Sequence, residues 1–351
     1  MFPRISYLSW ALAQFPGLPF DLATSGTPSA TMEDWAAGSP IADFAAEHAM
    51  RTAVSERYGV TAAEVVPCLG ASGGIYLAYA TLLNPGEGIL VEDPAYEPLA
   101  RAAEALGLRV KRFPRGQDQR YGIDPSLVTR CLDDGIRAVA VSQLHNPSGV
   151  AATNESLRAV ASLMEARGGY LIVDEVYGEL VAQRRSARAL APNIVSTSSL
   201  TKCFGLGFLR AGWVLLPAEL ATEAENVLRH TTGHLPPVVM SLATVALGRA
   251  DELAERRRGL MAGKRPRVDA FLSAHPDLCW AEPPHADAMF GFVRYARKQG
   301  LRERLERGRV EEGVLAVPGE FFGSEAGFRL GFTLPEALLD EALARLGRVL
   351  G

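Results

Sequence analysis

Short apolar runs alternate with stretches of helical periodicity from about residue 45 to residue 216, and this alternation restricts the fold more than any other feature. The predicted strands rich in Val, Ile and Leu are 65–69, 88–92, 109–113, 138–143, 170–173, 193–197 and 213–216. Such strands, when helices separate them, indicate a mostly parallel sheet that is covered on both faces. We therefore predict a three-layer α/β fold with a mostly parallel seven-stranded sheet.

The chain after residue 217 has a different pattern, which indicates a second, smaller unit. A helical stretch runs from about 236 to 275, with interruptions expected at Gly263 and Pro266, and strand-like patches follow near 288–294 and 327–333. The first forty residues are rich in Pro, Gly and Ser, and we expect them to pack on the C-terminal section. The predicted division is a large domain over 40–255 and a discontinuous small α/β domain over 1–39 and 256–351.

Charge and cysteine spacing exclude several classes of protein. The formal net charge is −4 and the chain has no basic stripe, which argues against nucleic-acid binding. The four cysteines are far apart, which predicts neither a disulfide framework nor a zinc site and is compatible with a reducing cytosol. The uncharged stretch 65–86 contains two prolines and a Gly-rich turn, which rule out a spanning helix. We expect a cytoplasmic protein without a metal or membrane partner.

Polar motifs follow several of the predicted strands, at the edge where open parallel sheets bind ligands. The first strand ends in GASGG, where backbone N–H groups and the helix N-terminus favour an anion. The second ends in EDPAYEP, in which Tyr96 can lie against a flat ligand. The fourth runs into HNPSG, in which Asn146 offers both a donor and an acceptor. Taken singly, each motif also fits an ordinary turn or a packed side chain.

Two further strand ends carry charged residues. Asp174 follows four apolar residues in YLIVDEVY, and a carboxylate there is costly unless a cation pairs with it. The sixth strand ends in SLTKCFGLGFLRAG, whose glycines allow the chain to curl so that Arg210 can approach Ser199. Hydroxyls and a guanidinium form a phosphate-binding set. A phosphate cradle, an aromatic ring, an amide, a carboxylate, a phenol and Lys202 together fit pyridoxal phosphate.

The motifs and their order closely resemble the fold-type I pyridoxal-phosphate enzymes, specifically the class I/II aminotransferases. The matching motifs cover nearly the whole chain: SGTP, RYGV, DPAY, HNPSG, DEVY, SLTK, VPGEFFG and FRLGF. The resemblance implies an enzyme that exchanges an amino group between an L-amino acid and a 2-oxo acid in a ping-pong cycle. It also implies a homodimer whose active sites lie between the subunits.

The resemblance implies a role for each residue at the cofactor. Lys202 forms the Schiff base and moves the proton between the substrate and the cofactor, and Asp174 keeps the pyridine nitrogen protonated. Asn146 and Tyr177 hydrogen-bond the phenolic oxygen of the ring. The remaining residues stack on the ring or hold the phosphate, and they are Tyr96, Ala71, Ser72, Ser199 and Arg210.

The resemblance also implies the substrate-binding residues. Arg329 in FRLGF clamps the α-carboxylate together with Asn146, and Gly26 lies where the N-terminal segment closes over the substrate. No second arginine can be assigned to a side-chain carboxylate, so a preference for aspartate is unsupported. Isolation of Lys202 from carboxylates leaves its amine without a salt-bridge partner that would hold it protonated.

Departures from the family pattern leave alternatives open. In the family, a tyrosine of the partner subunit usually reaches the phosphate. It has no clear match in this sequence, and Trp35 is the residue nearest to its position. The segment PPHADAMF replaces the usual Pro-x-Gly-Gly and places His285 and Asp287 near the expected substrate side. An alternative is a lyase or a cyclase acting on an amino acid with the same cofactor. It is favoured by the PPHADAMF segment and by the likeness of the SG segment and the PG–FG–R–GF ending to the capreomycidine synthase type. The third alternative is a binding protein with a degenerate aminotransferase fold. It is opposed by four intact functional residues, namely Lys202, Asp174, Arg210 and Arg329.

Overall fold

The computed structural model of the chain describes residues 6, 7, 10, 18–28, 45–181, 185–297, 300–325 and 327–351. The β-strands in these residues are β1 (Phe20–Asp21), β2 (Val65–Leu69), β3 (Gly88–Asp93), β4 (Arg109–Pro114), β5 (Ile136–Ser142), β6 (Tyr170–Asp174), β7 (Ile194–Ser199), β8 (Ala211–Leu215), β9 (Leu278–Trp280), β10 (Phe290–Tyr295), β11 (Val314–Leu315), β12 (Val317–Pro318) and β13 (Gly327–Gly331). The α-helices are α1 (Ala46–Tyr58), α2 (Gly70–Leu82), α3 (Pro98–Ala105), α4 (Pro125–Cys131), α5 (Asn154–Glu165), α6 (Ala221–Arg229), α7 (Pro237–Gly248), α8 (Ala250–Met261), α9 (Lys264–Ala274), α10 (Leu301–Arg307) and α11 (Glu336–Leu350).

The largest sheet has seven strands in the order β2-β8-β7-β6-β5-β3-β4. Only β8 runs antiparallel to its neighbours in this sheet, because the loop that follows β7 turns the chain back. Apolar clusters cover both faces, one built around α2 and α3 and others around α1, α7 and α5. The predicted α/β fold with a mostly parallel seven-stranded sheet is confirmed.

The register of the sheet aligns the polar strand ends. Ser142 pairs with Asp174, and Asp174 pairs with Thr197 on the next strand. At the antiparallel end, Gly212 lies so close to the start of α2 that an added Cβ would be 2.6 Å from the Cα of Gly70. The end of β7, the start of β8 and the start of α2 therefore meet at one edge of the sheet.

A second sheet contains β12, β13, β10 and β9, all antiparallel, and packs against α9 and α11. The N-terminal residues join this part of the structure, since β1 pairs in parallel with β11. The N–H of Leu22 continues this pairing by donating to the carbonyl of Leu315 at 2.8 Å, and the carbonyl of Leu22 accepts from the N–H of Gly331 on β13 at 2.6 Å. The predicted packing of the N-terminal segment on the C-terminal section agrees with these contacts. The domain limits remain a prediction, and residue 40 lies outside the described residues.

The long helical stretch is divided into α7, α8 and α9. Gly263 separates the last two with a left-handed φ of 73°, as its position predicts. Pro266 was expected to interrupt the helix, but it lies in the first turn of α9, where its missing N–H removes no intrahelical hydrogen bond. Within the residues that the structure describes, no helix is long and apolar enough to cross a membrane. The same residues contain no cluster of side chains that could hold a metal ion.

Candidate active site

A cavity of about 520 Å³ lies at the carboxyl edge of the large sheet. It is lined by every residue predicted to bind the cofactor or the substrate apart from Gly26, namely Ala71, Ser72, Tyr96, Asn146, Asp174, Tyr177, Ser199, Lys202, Arg210 and Arg329. Gly26 lies directly beside the cavity, because a Cβ added to it would be 3.3 Å from Cδ of Lys202. The structure thus brings all the predicted site residues together.

Lys202 extends into this cavity from the turn after β7. Burial, followed by the nearby Arg329 and Arg210, lowers the pKa of its amine to about 8, and Asp174 opposes this effect. No carboxylate of the described residues forms an ion pair with Lys202. The amine therefore loses its proton far more readily than a surface lysine does.

Asp174 ends β6 with only 3% of its surface exposed. Its Oδ1 atom accepts a hydrogen bond from the N–H of Val176 at 3.0 Å, and no cation among the described residues forms an ion pair with it. Burial raises the pKa of this carboxyl group to about 7; the Val176 hydrogen bond opposes the rise, and the charges of Glu92 and Glu175 add to it. A cationic ligand in the cavity would remove the cost of this buried charge.

The start of α2 and Arg210 form an anion-binding corner. Gly70 has a φ of 70°, and a Cβ at this position would be 2.5 Å from the Nη2 atom of Arg210, so only glycine allows this approach. Ala71 and Ser72 follow in the first turn of the helix, whose N–H groups favour an anion. No carboxylate of the described residues pairs with Arg210. This donor set fits the phosphate of pyridoxal phosphate.

Arg329 on β13 is 1% exposed. Its Nη1 donates to Oδ1 of Asn146 at 2.9 Å, and its Nη2 donates to the carbonyl of Ala23 at 2.9 Å and to the hydroxyl of Tyr7 at 2.8 Å. Among the described residues, the Nε atom has no hydrogen-bond partner and no carboxylate pairs with the guanidinium. A buried guanidinium with donors to spare is suited to an anionic ligand such as a carboxylate.

Tyr7 and Ser25 are among the residues that line the cavity but were not predicted from the sequence. Tyr7 is held by Glu97, whose carboxylate accepts the N–H of Ser6 at 3.0 Å and that of Tyr7 at 2.6 Å. No local pattern marks Tyr7, since its partner Arg329 lies 322 positions away. Ser25 does carry a signal, because it begins the SGTP motif beside Gly26.

His285 and Asp287 do not line this cavity, although their segment was expected near the substrate side. Asp287 lines a separate cavity of about 230 Å³. The segment instead packs on the HNPSG loop: the N–H of His285 donates to the carbonyl of Gly149 at 2.9 Å, and a Cβ on Gly149 would be 2.7 Å from Cβ of Pro284. Trp35, the residue nearest to the position of the family's phosphate-binding tyrosine, lies outside the described residues.

Comparisons with known proteins show which family the chain belongs to. The sequence model of the family described as aminotransferase class I and II matches residues 36–346. The chain is 29% identical to capreomycidine synthase from Streptomyces vinaceus over 86% of its own length and 78% of that protein. It is 28% identical to the arginine–pyruvate transaminase AruH from Pseudomonas aeruginosa over 89% of its own length and 82% of that protein.

Solved structures show the same fold. A pyridoxal-phosphate-dependent aminotransferase from Streptococcus suis superposes with a TM-score of 0.91 at 22% identity, over 99% of this chain and 98% of that one. The pyridoxal-phosphate-dependent cyclase OrfR superposes with a TM-score of 0.86 at 27% identity, over 99% of this chain and 97% of that one. The family match and these neighbours confirm pyridoxal phosphate as the cofactor. The chain belongs to the class I and II aminotransferase family.

Proposed function

We propose that the chain is an aminotransferase that exchanges an amino group between an L-amino acid and a 2-oxo acid by a ping-pong mechanism. One observation carries the proposal: one cavity is lined by Lys202 with its lowered pKa, by the buried Asp174 and by Arg329. Within the described residues, Arg329 pairs with no carboxylate. A transaminase needs this combination, because it must attach a cofactor, activate it and hold an amino acid by its carboxylate.

Pyridoxal phosphate supplies, when bound, an electron sink that stabilises negative charge at the substrate Cα. Asp174 would hold a proton on the ring nitrogen, since a cation there offsets the cost of its buried carboxylate. Asn146 and Tyr177 would hydrogen-bond the phenolic oxygen, and Tyr96 would stack on the ring. The phosphate would bind the residues of the corner described above, Ala71, Ser72, Ser199 and Arg210.

Lys202 would act as both nucleophile and base. With a pKa of about 8, about a tenth of its amine is neutral at pH 7, whereas an unperturbed lysine is almost entirely charged. In its neutral form the amine would hold the bound cofactor covalently and would be the base that takes up the proton from the substrate Cα. Burial beside two guanidinium groups thus prepares the amine for both tasks.

Arg329 would bind the substrate α-carboxylate, with Asn146 holding one of its nitrogens. Apart from Lys202, Arg210 and Arg329, no cation among the described residues lines the cavity. A side-chain carboxylate therefore has no free counter-ion there, which argues against aspartate as the preferred substrate. Gly26 would let the N-terminal segment lie against Lys202 and close the substrate side.

The alternative is a cyclisation or elimination reaction on an amino acid with the same cofactor. The observation that favours it is the 29% identity to capreomycidine synthase over 86% of this chain. The residues discussed above serve either outcome, because both reactions begin with loss of the Cα proton.

A half-reaction with a panel of amino acids separates the two reactions. The purified protein with bound cofactor is mixed with each amino acid, without a 2-oxo acid, and its absorbance is followed. We expect a clean conversion to the aminated cofactor, which an added 2-oxo acid reverses. Release of ammonia or pyruvate, or a cyclised product, without that conversion would refute transamination and establish the alternative.

Tyr7 provides a second test of the substrate site. Replacing Tyr7 by phenylalanine removes the hydroxyl that accepts from Arg329, and a hydrogen bond to a charged group contributes about 1.5–3 kcal/mol. We expect KM for the amino acid to rise about tenfold or more with little change in kcat, because this contact serves substrate binding. Tyr170→Phe, a half-buried tyrosine at the start of β6, is the control. A fall in kcat at unchanged KM would contradict the assignment.

We also propose a cytoplasmic homodimer. Ser72 and Arg210 of the phosphate corner are exposed, and the side chains of Leu69 and Phe208 beside them are 37% and 52% exposed. A second copy would cover this apolar patch and shield the phosphate. A protein that sediments as a monomer with full activity would contradict the dimer.

A further inference from the structure

The hydroxyl groups of Ser25 and Tyr177 are hydrogen-bonded inside the cavity. Their oxygen atoms are 2.8 Å apart, and each residue is 2% exposed. They come from distant parts of the chain, the N-terminal segment and the end of the DEVY motif. Nothing in the family resemblance assigns a role to Ser25.

The segment that carries Ser25 is fixed against the Lys202 loop. The N–H of Thr27 donates to the carbonyl of Lys202 at 2.8 Å, and its hydroxyl donates to the carbonyl of Cys203 at 3.1 Å. Gly26 makes this approach possible, because even a Cβ would lie 3.3 Å from the Lys202 side chain. Ser25 is therefore held in place by backbone contacts on its C-terminal side and does not depend on Tyr177 for its position.

The number of hydroxyl protons decides which residue donates in the Ser25–Tyr177 hydrogen bond. A phenol carries one O–H and can donate it once, while its oxygen can also accept. If Tyr177 donates to the phenolic oxygen of the cofactor, as the proposed function requires, its own oxygen must accept from Ser25. The hydroxyl proton of Ser25 then fixes where the Tyr177 proton points.

We propose that Ser25 is a positioning residue: it donates to Tyr177, orients the Tyr177 proton toward the phenolic oxygen of the cofactor, and so lowers the pH at which the bound cofactor loses its proton. The inference rests on the proposed placement of Tyr177 at that oxygen. A donor at the phenolic oxygen stabilises the deprotonated form of the bound cofactor, because negative charge remains on that oxygen. Loss of Ser25 weakens this donor and moves the titration to higher pH.

The electrostatics of Tyr177 agree with this direction. Burial raises the pKa of its hydroxyl well above the usual value, and Arg329 and the Ser25 hydrogen bond partly reverse the rise, while Tyr7 and Tyr96 add to it. Lys202 and Asp174 also line the cavity. A phenol made more acidic by Ser25 is a stronger donor to the cofactor.

The test is a pH titration of the absorbance of the protein with bound cofactor, without substrate. Ser25→Ala should raise the midpoint by about 0.5–1 pH unit, the size expected when one hydrogen bond in a buried network is lost. Thr24→Val is the matched control, since its hydroxyl lies in the same segment but donates to the carboxylate of Asp21, outside the cavity. An unchanged midpoint for Ser25→Ala, or an equal shift for Thr24→Val, would overturn the inference.

A double-mutant cycle shows whether Ser25 acts through Tyr177. Tyr177→Phe should raise the midpoint further than Ser25→Ala, and adding Ser25→Ala to it should have no further effect. If Ser25→Ala shifts the midpoint equally with and without Tyr177→Phe, Ser25 does not act through Tyr177 and the inference is refuted. If Tyr177→Phe leaves the midpoint unchanged, the proposed position of Tyr177 is itself wrong. Because no turnover is measured, these outcomes are independent of whether the enzyme transaminates or cyclises.

Discussion

Replacement of Lys202 by alanine should lower kcat by at least about 10⁴-fold, the upper range for removing a positioned acid–base group. The loss should exceed that of any other single change, because the same amine is both nucleophile and base. Among the described residues that line the cavity, Lys202 is the only amine. The variant should still bind pyridoxal phosphate through the phosphate corner, but it should show the absorbance of the free aldehyde.

Lys264 provides a matched control for this experiment. It is also a buried lysine, 3% exposed, but its Nζ atom donates to the carbonyl of Thr333 at 2.9 Å, away from the cavity. Lys264→Met should keep kcat near that of the unchanged protein, although the lost hydrogen bond should lower the melting temperature. If Lys202→Ala keeps more than about a hundredth of the activity, the assigned role is wrong.

Replacement of Asp174 by asparagine should weaken cofactor binding and lower kcat, each by about 10²-fold or more. The amide keeps the shape of the carboxyl group and can still accept the Val176 hydrogen bond, but it carries no charge to hold a proton on the ring nitrogen. Removal of one partner of a buried ion pair costs about 3–5 kcal/mol, which corresponds to this range. Equilibrium titration with pyridoxal phosphate and kcat for the best substrate measure both effects.

A variant of the adjacent Glu175 distinguishes the effect of losing the Asp174 charge from the effect of a less stable fold. Glu175 is also buried, but its carboxylate accepts the N–H of Ala187 at 2.7 Å and the hydroxyl of Ser186, and it does not line the cavity. Glu175→Gln should reduce stability while leaving cofactor affinity largely unchanged. Equal losses of affinity in the two variants would show that Asp174 acts only through the stability of the sheet end.

The cofactor side of the site could be predicted from the sequence because its residues lie at strand ends. Tyr96, Asn146 and Asp174 each follow a recognisable apolar run, and a parallel sheet brings such ends to one edge. The same logic located Lys202, since β7 is another buried strand. In these cases a local pattern and one rule of topology are sufficient to place a side chain.

The substrate side could not be predicted to the same degree. Tyr7 contacts Arg329 across 322 positions of the sequence, and no periodicity within either segment encodes that contact. Strands β9 and β12, with three and two residues, are too short for a hydrophobic pattern to reveal them. The segment with His285 was misplaced because its unusual composition suggested ligand contact, whereas its backbone packs on Gly149.

The pairing of β1 with β11 has a consequence for the order in which the enzyme is completed during its synthesis. Residues 18–28 are translated before the large sheet, but their partners, β11 and Gly331, are translated after it. The seven strands of the large sheet are all present once β8 has been made. The strands that place Lys202 and Asp174 are therefore synthesised before Arg329, the residue proposed to bind the substrate carboxylate. We expect a nascent chain to form the cofactor side of the site first and to gain its carboxylate-binding side only after β13 has been made.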